Sequence, residues 1–147
     1  MKESVKIREK IIRLINKINQ AEKIPKNYGT EHILYRSEIH TIEAIKIHEN
    51  VNASEFSNIL GITNGALTQI ISKLKKKGLV DQYNTSDNKK EVYYRLTDKG
   101  LIAYYGHEKH HEETYTNLEQ YIESLDEDKI ETISLFFDKL IDIWPNK

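Results

Sequence analysis

The chain has 147 residues, 38% of them hydrophobic, which suits one compact domain, or one lobe plus the helices that pair it, rather than a multidomain enzyme. It contains no cysteine, which excludes disulfides, iron–sulfur clusters, thiolate metal sites and cysteine nucleophiles, and leaves histidine, aspartate and glutamate as metal ligands. The formal net charge of −1 conceals a segregation: Phe56 to Gly100 carries a net +4 and His107 to Lys147 a net −7, the pattern of a molecule with one face turned to a polyanion.

Met1 to Lys6 opens a charged helix without the apolar core of a signal peptide, and no stretch approaches the roughly 18 apolar residues of a membrane span. The expectation is a soluble, cytoplasmic protein with no membrane partner. From Glu3 to Lys23, apolar residues at Ile7, Ile11, Leu14, Ile15 and Ile18 follow the spacing of an amphipathic helix, which Pro25 and Gly29 end. Ser37 is the expected cap of a second helix that carries Ile39, Ile42 and Ile45 on one face and runs to about Glu49. Asn52, with Glu55 three residues on, predicts the start of a third helix that stops at Gly61. Thr63 caps a fourth helix to Lys77, with Leu67, Ile70, Ile71 and Leu74 inward and Gly78 suited to a left-handed end.

Two strands are expected next, about Leu79–Asn84 and Glu91–Leu96, joined by a polar, basic tip. Thr97 then caps a long fifth helix to about Glu123. Asp126 caps a sixth whose apolar residues are Ile130, Ile133, Phe137, Leu140, Ile141 and Trp144, with Pro145 as its stop. The fold class that follows is mainly α with a small β-hairpin wing. A winged helix-turn-helix lobe spans about 37–100, flanked by helices at about 1–24 and 101–147.

Two helices joined by a glycine-containing turn, the second with a polar outer face, form a helix-turn-helix whose second helix can enter the major groove. Its outer face is Asn64, Gly65, Thr68, Gln69, Ser72 and Lys73. Asparagine and glutamine can pair with adenine, threonine with a base edge or a thymine methyl, and glycine admits close backbone approach. Lys89 and Lys90 at the hairpin tip would meet phosphates or the adjacent minor groove. The expected partner is double-stranded DNA. A winged helix can instead serve only as a protein-interaction module, a reading that loss of DNA binding on reversing Lys73, Lys89 and Lys90 would exclude.

The segment His107-Glu108-Lys109-His110-His111-Glu112-Glu113 admits three readings. It is a solvated charged face, or a metal site in which His107 and His111 share one face of the helix, or the His-Glu-x-x-His pattern of a zinc protease. The protease reading lacks the substrate-binding sheet edge and cleft that such an enzyme needs, because the only clear strands belong to the wing.

Three stretches resemble the MarR family of transcriptional regulators. They are Asn52-Ala53-Ser54-Glu55-Phe56-Ser57-Asn58-Ile59-Leu60-Gly61-Ile62-Thr63, then Ile71-Ser72-Lys73-Leu74-Lys75-Lys76-Lys77-Gly78-Leu79-Val80, and Tyr94-Arg95-Leu96-Thr97-Asp98-Lys99-Gly100, which carries a Leu-Thr-x-x-Gly signature. The resemblance implies a homodimer built from the first and last helices, a repressor acting on a pseudo-palindromic operator. The wing departs from the family pattern, since Asp-x-Arg reads Asp87-Asn88-Lys89 here, keeping a cation and losing arginine's planar fork.

A further resemblance, to the zinc-responsive members of that family, implies a divalent-metal sensor. His107 and His111 match the His pair, and His40 matches the second-helix ligand if the following loop holds one extra residue. Glu22, Glu31, His32 and Glu38 are weaker candidates to complete the shell. The cysteine that some of these sensors use is absent. The broader family implies the alternative of a small hydrophobic or phenolic effector, for which Tyr28, Tyr35, Tyr104 and Tyr105 are candidate pocket residues.

Overall fold

A computed structural model describes residues 1–143, the side chain of Glu22 excepted. Its elements run α1 (Glu3–Glu22), α2 (Arg36–Ile47), α3 (Ala53–Leu60), α4 (Asn64–Lys76), β1 (Val80–Tyr83), β2 (Tyr93–Leu96), α5 (Asp98–Glu123) and α6 (Glu127–Ile143). Trp144 and Pro145, expected to end the last helix, lie outside the described residues.

The helix starts follow from short polar side chains that accept otherwise orphaned backbone N–H groups. Asn52 accepts from Glu55 N at 2.9 Å, Thr63 from Ala66 N at 3.1 Å and Thr97 from Gly100 N at 3.1 Å. Asp126 does the same for Lys129 N at 3.0 Å. Gly78, at φ +70°, turns the chain out of α4, a conformation that side-chain-bearing residues rarely adopt.

The second helix corrects an expectation. Tyr35, not Ser37, is its N-cap, and Glu38 reaches back to accept the Tyr35 N–H at 3.2 Å. Glu38 holds that position because it is itself fixed from outside: Lys77, at the end of α4, donates to its Oε2 at 2.7 Å and to the Ile33 carbonyl at 3.0 Å. Ser37 lies within the helix, where its carbonyl accepts the Thr41 hydroxyl.

The hairpin pairs antiparallel, with Val80 opposite Leu96 and Tyr83 opposite Tyr93. β2 begins two residues later than its sequence suggests, because the Val92 carbonyl accepts the Ala53 N–H at 2.9 Å and so ties the strand to the start of α3. One face of the hairpin is built into the core, where Tyr94 sets its edge on Phe56 at a ring separation of 6.1 Å. The other stacks Tyr83 on Tyr93, with Arg95 lying over the Tyr83 ring.

The core of buried apolar side chains runs from Leu34 to Ala103 and centres on Ile39, Ile42, Phe56, Leu67, Ile71, Leu74 and Leu79. Helix α2 is its axle, packing on α4, β2 and α5. Among the described residues, α1 and α6 contribute nothing fully buried. Their apolar residues flank an open cleft of about 610 Å³ lined by Ile7, Ile11, Ile15, Phe136, Leu140 and Ile143. No helix among the described residues is long and apolar enough to cross a membrane.

Candidate functional site

The histidines converge where α2 crosses α5. On α5, His107 and His111 are one turn apart, with ring centroids 4.0 Å from each other. Across from them, His40 brings its ring centroid to 5.4 Å from that of His107 and 6.3 Å from that of His111. Glu43, one turn after His40 on the same face of α2, completes the group. Its two carboxylate oxygens lie 3.9 Å from His107 Nδ1 and 3.7 Å from His111 Nδ1. Ligand atoms from all four residues fall within 4.8 Å of one another.

Local packing holds this crossing close. A Cβ at Gly106 would stand 2.2 Å from the Tyr28 carbonyl oxygen, so only glycine lets the loop before α2 press against α5 at that level. The Tyr28 ring then meets His107 edge-on at 5.4 Å. His107 is only 2% exposed, which overturns the solvated-face reading for this residue, while His40 and His111 are half-buried. A pocket of about 200 Å³ opens onto the group, with Lys26, Arg36 and Tyr115 on its walls.

The donor set fits a metal ion. Burial, the Arg36 charge and His111 push the His40 pKa down to about 4; burial and the neighbouring histidines push that of His107 down to about 3. Both rings are therefore neutral at pH 7 with a nitrogen lone pair free, the state that coordination requires. His107 Nδ1 is buried without any hydrogen-bond partner, a cost of about 1–3 kcal/mol for a polar atom unless something else occupies it. Three imidazoles and one carboxylate make a closed four-ligand set of the kind zinc takes in non-catalytic sites, whereas zinc enzymes keep a position open for water or substrate.

The weaker sequence candidates turn elsewhere. Glu38 is committed to Lys77, and Glu31 to Lys99 at 2.7 Å, with His32 beside Glu31 at 3.6 Å. The side chain of Glu22 lies outside the described residues. Glu43 is absent from the residues that the sequence suggests as ligands, although the i, i+3 spacing of His40 and Glu43 is the signal that could have found it. Glu108, the acid of the protease-like pattern, is exposed and accepts the Tyr104 hydroxyl at 2.6 Å, which raises the Tyr104 pKa to about 12. Of the four tyrosines considered for an organic effector, Tyr28 lines the histidine pocket and Tyr104 packs on Tyr105, while Tyr35 and Tyr105 are exposed.

At the other end of the lobe, Asn64, Gly65, Thr68, Gln69, Ser72 and Lys73 all lie exposed on one face of α4, with Lys89 and Lys90 exposed at the wing tip. Two of the six helix residues have local duties. The Ser57 hydroxyl donates to Asn64 Oδ1 at 2.6 Å, joining the two helices of the turn, and the Thr68 hydroxyl donates back to the Asn64 carbonyl at 2.9 Å. Gln82 on β1, which the sequence does not single out, meets Lys75 at 3.4 Å in a groove between α4 and the wing that Thr68 and Ser72 also line.

The model of the MarR family matches residues 34–92, from the start of α2 to the wing. The HTH-type transcriptional regulator PchR of Bacillus subtilis is 31% identical over 117 residues, a match covering 80% of this chain and 64% of that protein. The chain resembles the MarR family over residues 34–92 and spans less than two thirds of the length of PchR. Solved structures share its fold along nearly the whole chain. FabT of Streptococcus pneumoniae, in complex with DNA, superposes with a TM-score of 0.67 at 22% identity, covering 96% of each chain. The zinc-responsive family member ZitR of Lactococcus lactis gives 0.60 at 20% identity, covering 92% of this chain and 97% of that one. PchR is an HTH-type transcriptional regulator, and none of these three proteins is named as an enzyme.

Proposed function

We propose that this chain is a MarR-type DNA-binding transcriptional regulator, a homodimeric repressor of a pseudo-palindromic operator, switched by a divalent metal of the zinc type held by His40, Glu43, His107 and His111. The observation that carries the switch is the convergence of those four ligand atoms within 4.8 Å across two helices with different jobs. Bound there, a metal would supply a cross-link between α2 and α5.

The chain's own residues make such a cross-link consequential. Helix α2 is fastened to the end of α4 through Glu38 and Lys77, a contact through which a change in the tilt of α2 can reach the recognition helix. Helix α5 leaves the lobe toward the apolar cleft of α1 and α6, whose exposed isoleucines and phenylalanines support a second copy as their cover. Fixing α2 against α5 would therefore fix the separation of two α4 helices in a dimer, which must match the spacing of two half-sites. The DNA reading rests on the exposed polar face of α4, on the wing lysines and on the family. The likeness to a zinc-responsive member supports the choice of metal.

The test is a fluorescence-anisotropy titration with the duplex that the wild-type chain enriches from a random-sequence library, in zinc and in chelator. The expected result is operator affinity that shifts at least about tenfold with zinc, a coupling of ordinary allosteric size, and a shift that His107→Ala/His111→Ala abolishes. Zinc binding no tighter than micromolar at neutral pH, or equal zinc binding by the double variant, would sink the metal switch and leave the DNA-binding reading standing. Sedimentation at micromolar protein decides the dimer.

A further inference from the structure

Lys89 and Lys90 share one peptide group, whose oxygen belongs to Lys89 and whose N–H belongs to Lys90. Side chains grip both ends of it. Asn84 Nδ2 donates to the Lys89 carbonyl at 3.1 Å, and Asn88 Oδ1 accepts the Lys90 N–H at 3.1 Å. The second proton of the Asn84 amide goes to the Glu91 carbonyl at 2.7 Å, and Asn88 Oδ1 also takes the Glu91 N–H at 3.3 Å. Thr85 Oγ1 accepts the Asn88 N–H at 3.2 Å, which sets the turn in which Asn88 sits. The segment between Tyr83 and Tyr93 has no ladder of its own, so these side-chain-to-backbone bonds take its place.

We propose that Asn84 and Asn88 are positioning residues for DNA binding, holding the Lys89–Lys90 peptide so that both ammonium groups leave the wing tip in a set direction before DNA arrives. This rests on the reading that the wing lysines touch DNA. The physical need is entropic: two long cationic side chains lose rotamer freedom on docking, and a loose backbone beneath them would lose its own freedom as well. The two asparagines are neutral. They therefore change how much ordering accompanies binding and not how many counterions leave the DNA, and that separates their contribution from the lysines' own.

The experiment uses the full chain and the library-selected duplex, with affinity measured over a range of salt concentrations. Asn84→Ala is expected to weaken binding by roughly three- to tenfold, the scale of ordering a few groups, while the slope of log K against log salt stays at its wild-type value. Lys89→Ala/Lys90→Ala removes four cations from a dimer and should weaken binding and lower that slope by about 4, close to one for each phosphate that is no longer neutralised. Adding Asn84→Ala to the double lysine variant should then cost nothing further. A merely structural asparagine would cost the same factor in both backgrounds, so that outcome overturns the proposal. Asn84→Ala with wild-type affinity beside weakened lysine variants also overturns it, and leaves the lysines' role at DNA intact. Lysine variants with unchanged affinity and slope overturn both. Asn88→Ala, which releases the Lys90 N–H, is the second variant and should behave as Asn84→Ala does.

Discussion

The winged lobe and the terminal helices use the same residue types to opposite ends. Between Leu34 and Ala103, Ile39, Ile42, Phe56, Leu67, Ile71, Leu74 and Leu79 are buried to within a few per cent, and the lobe completes its own core. In α1 and α6 the same residue types stand open, with Ile12 at 53%, Leu135 at 51% and Ile141 at 67% exposure. Amphipathic periodicity is as clear in one region as in the other. Periodicity therefore says that a helix has an apolar face, and only packing says whether one copy of the chain can cover it.

The sharpest way to break that comparison is to truncate one phenylalanine in each region. Phe56 is 1% exposed and Phe136 40%. Phe56→Ala should destabilise the protein by about 3–5 kcal/mol, the cost of a large buried side chain plus the cavity it leaves. Phe136→Ala should leave the unfolding of an isolated protomer nearly unchanged and weaken dimerisation by about 1–2 kcal/mol. Urea titrations at two protein concentrations separate the two, because only the dimer's midpoint depends on concentration. Equal losses with no concentration dependence would mean that the α1–α6 face has no partner.

Helix α5 belongs to both regions, and its His107 is the residue least at home in a core. His107→Leu replaces a buried, unpartnered nitrogen with an apolar group of similar reach, so the metal-free variant should be at least as stable as wild type. It should lose the stabilisation that zinc confers, about 3–4 kcal/mol for wild type at a few hundred times the dissociation constant. The sign of the pH effect is fixed too. His40 and His107 have pKa values lowered to about 4 and about 3 in the folded protein, so below their unfolded value near 6.5 the unfolded chain binds more protons. Metal-free wild type should lose stability as pH falls from about 6.5 toward 3, and His107→Leu should lose less. Thermal melts across that range in chelator read both effects.

What could be read from the sequence depended on how local its cause was. The Asn52, Thr63 and Thr97 caps were legible because donor and acceptor sit within three residues of each other. Tyr35 as the cap of α2 was not, because it depends on a Glu38 whose position is set by Lys77, 39 residues away. His107 and His111 were legible as a helical pair and His40 through resemblance. Glu43 escaped because its i, i+3 spacing from His40 places the two on one face of α2, but only the crossing of α2 over α5 puts that face opposite His107 and His111. Asn64 was legible as outward-facing, but its bond to Ser57 depends on the angle of the turn.

Within the lobe, two lysines on one helix run divide the same way. Lys73 is exposed on the face assigned to DNA, and Lys77 reaches inward to a Glu38 side chain that is 3% exposed. Lys77→Met keeps the alkyl stem and removes the charge, leaving a buried carboxylate with the Tyr35 N–H alone, and should cost about 2–3 kcal/mol of stability. Lys73→Met should change stability by less than about 0.5 kcal/mol, as surface substitutions do. Operator binding should reverse the ranking of directness. Lys73→Met should lower the salt slope by about 2, the signature of one phosphate per protomer of the dimer left without its cation, whereas Lys77→Met should leave the slope unchanged. If Lys77 also transmits the tilt of α2, its variant should bind operator with a smaller zinc response while still binding zinc as wild type does. A full zinc response in Lys77→Met would place the link between α2 and α4 in their shared apolar packing rather than in the ion pair.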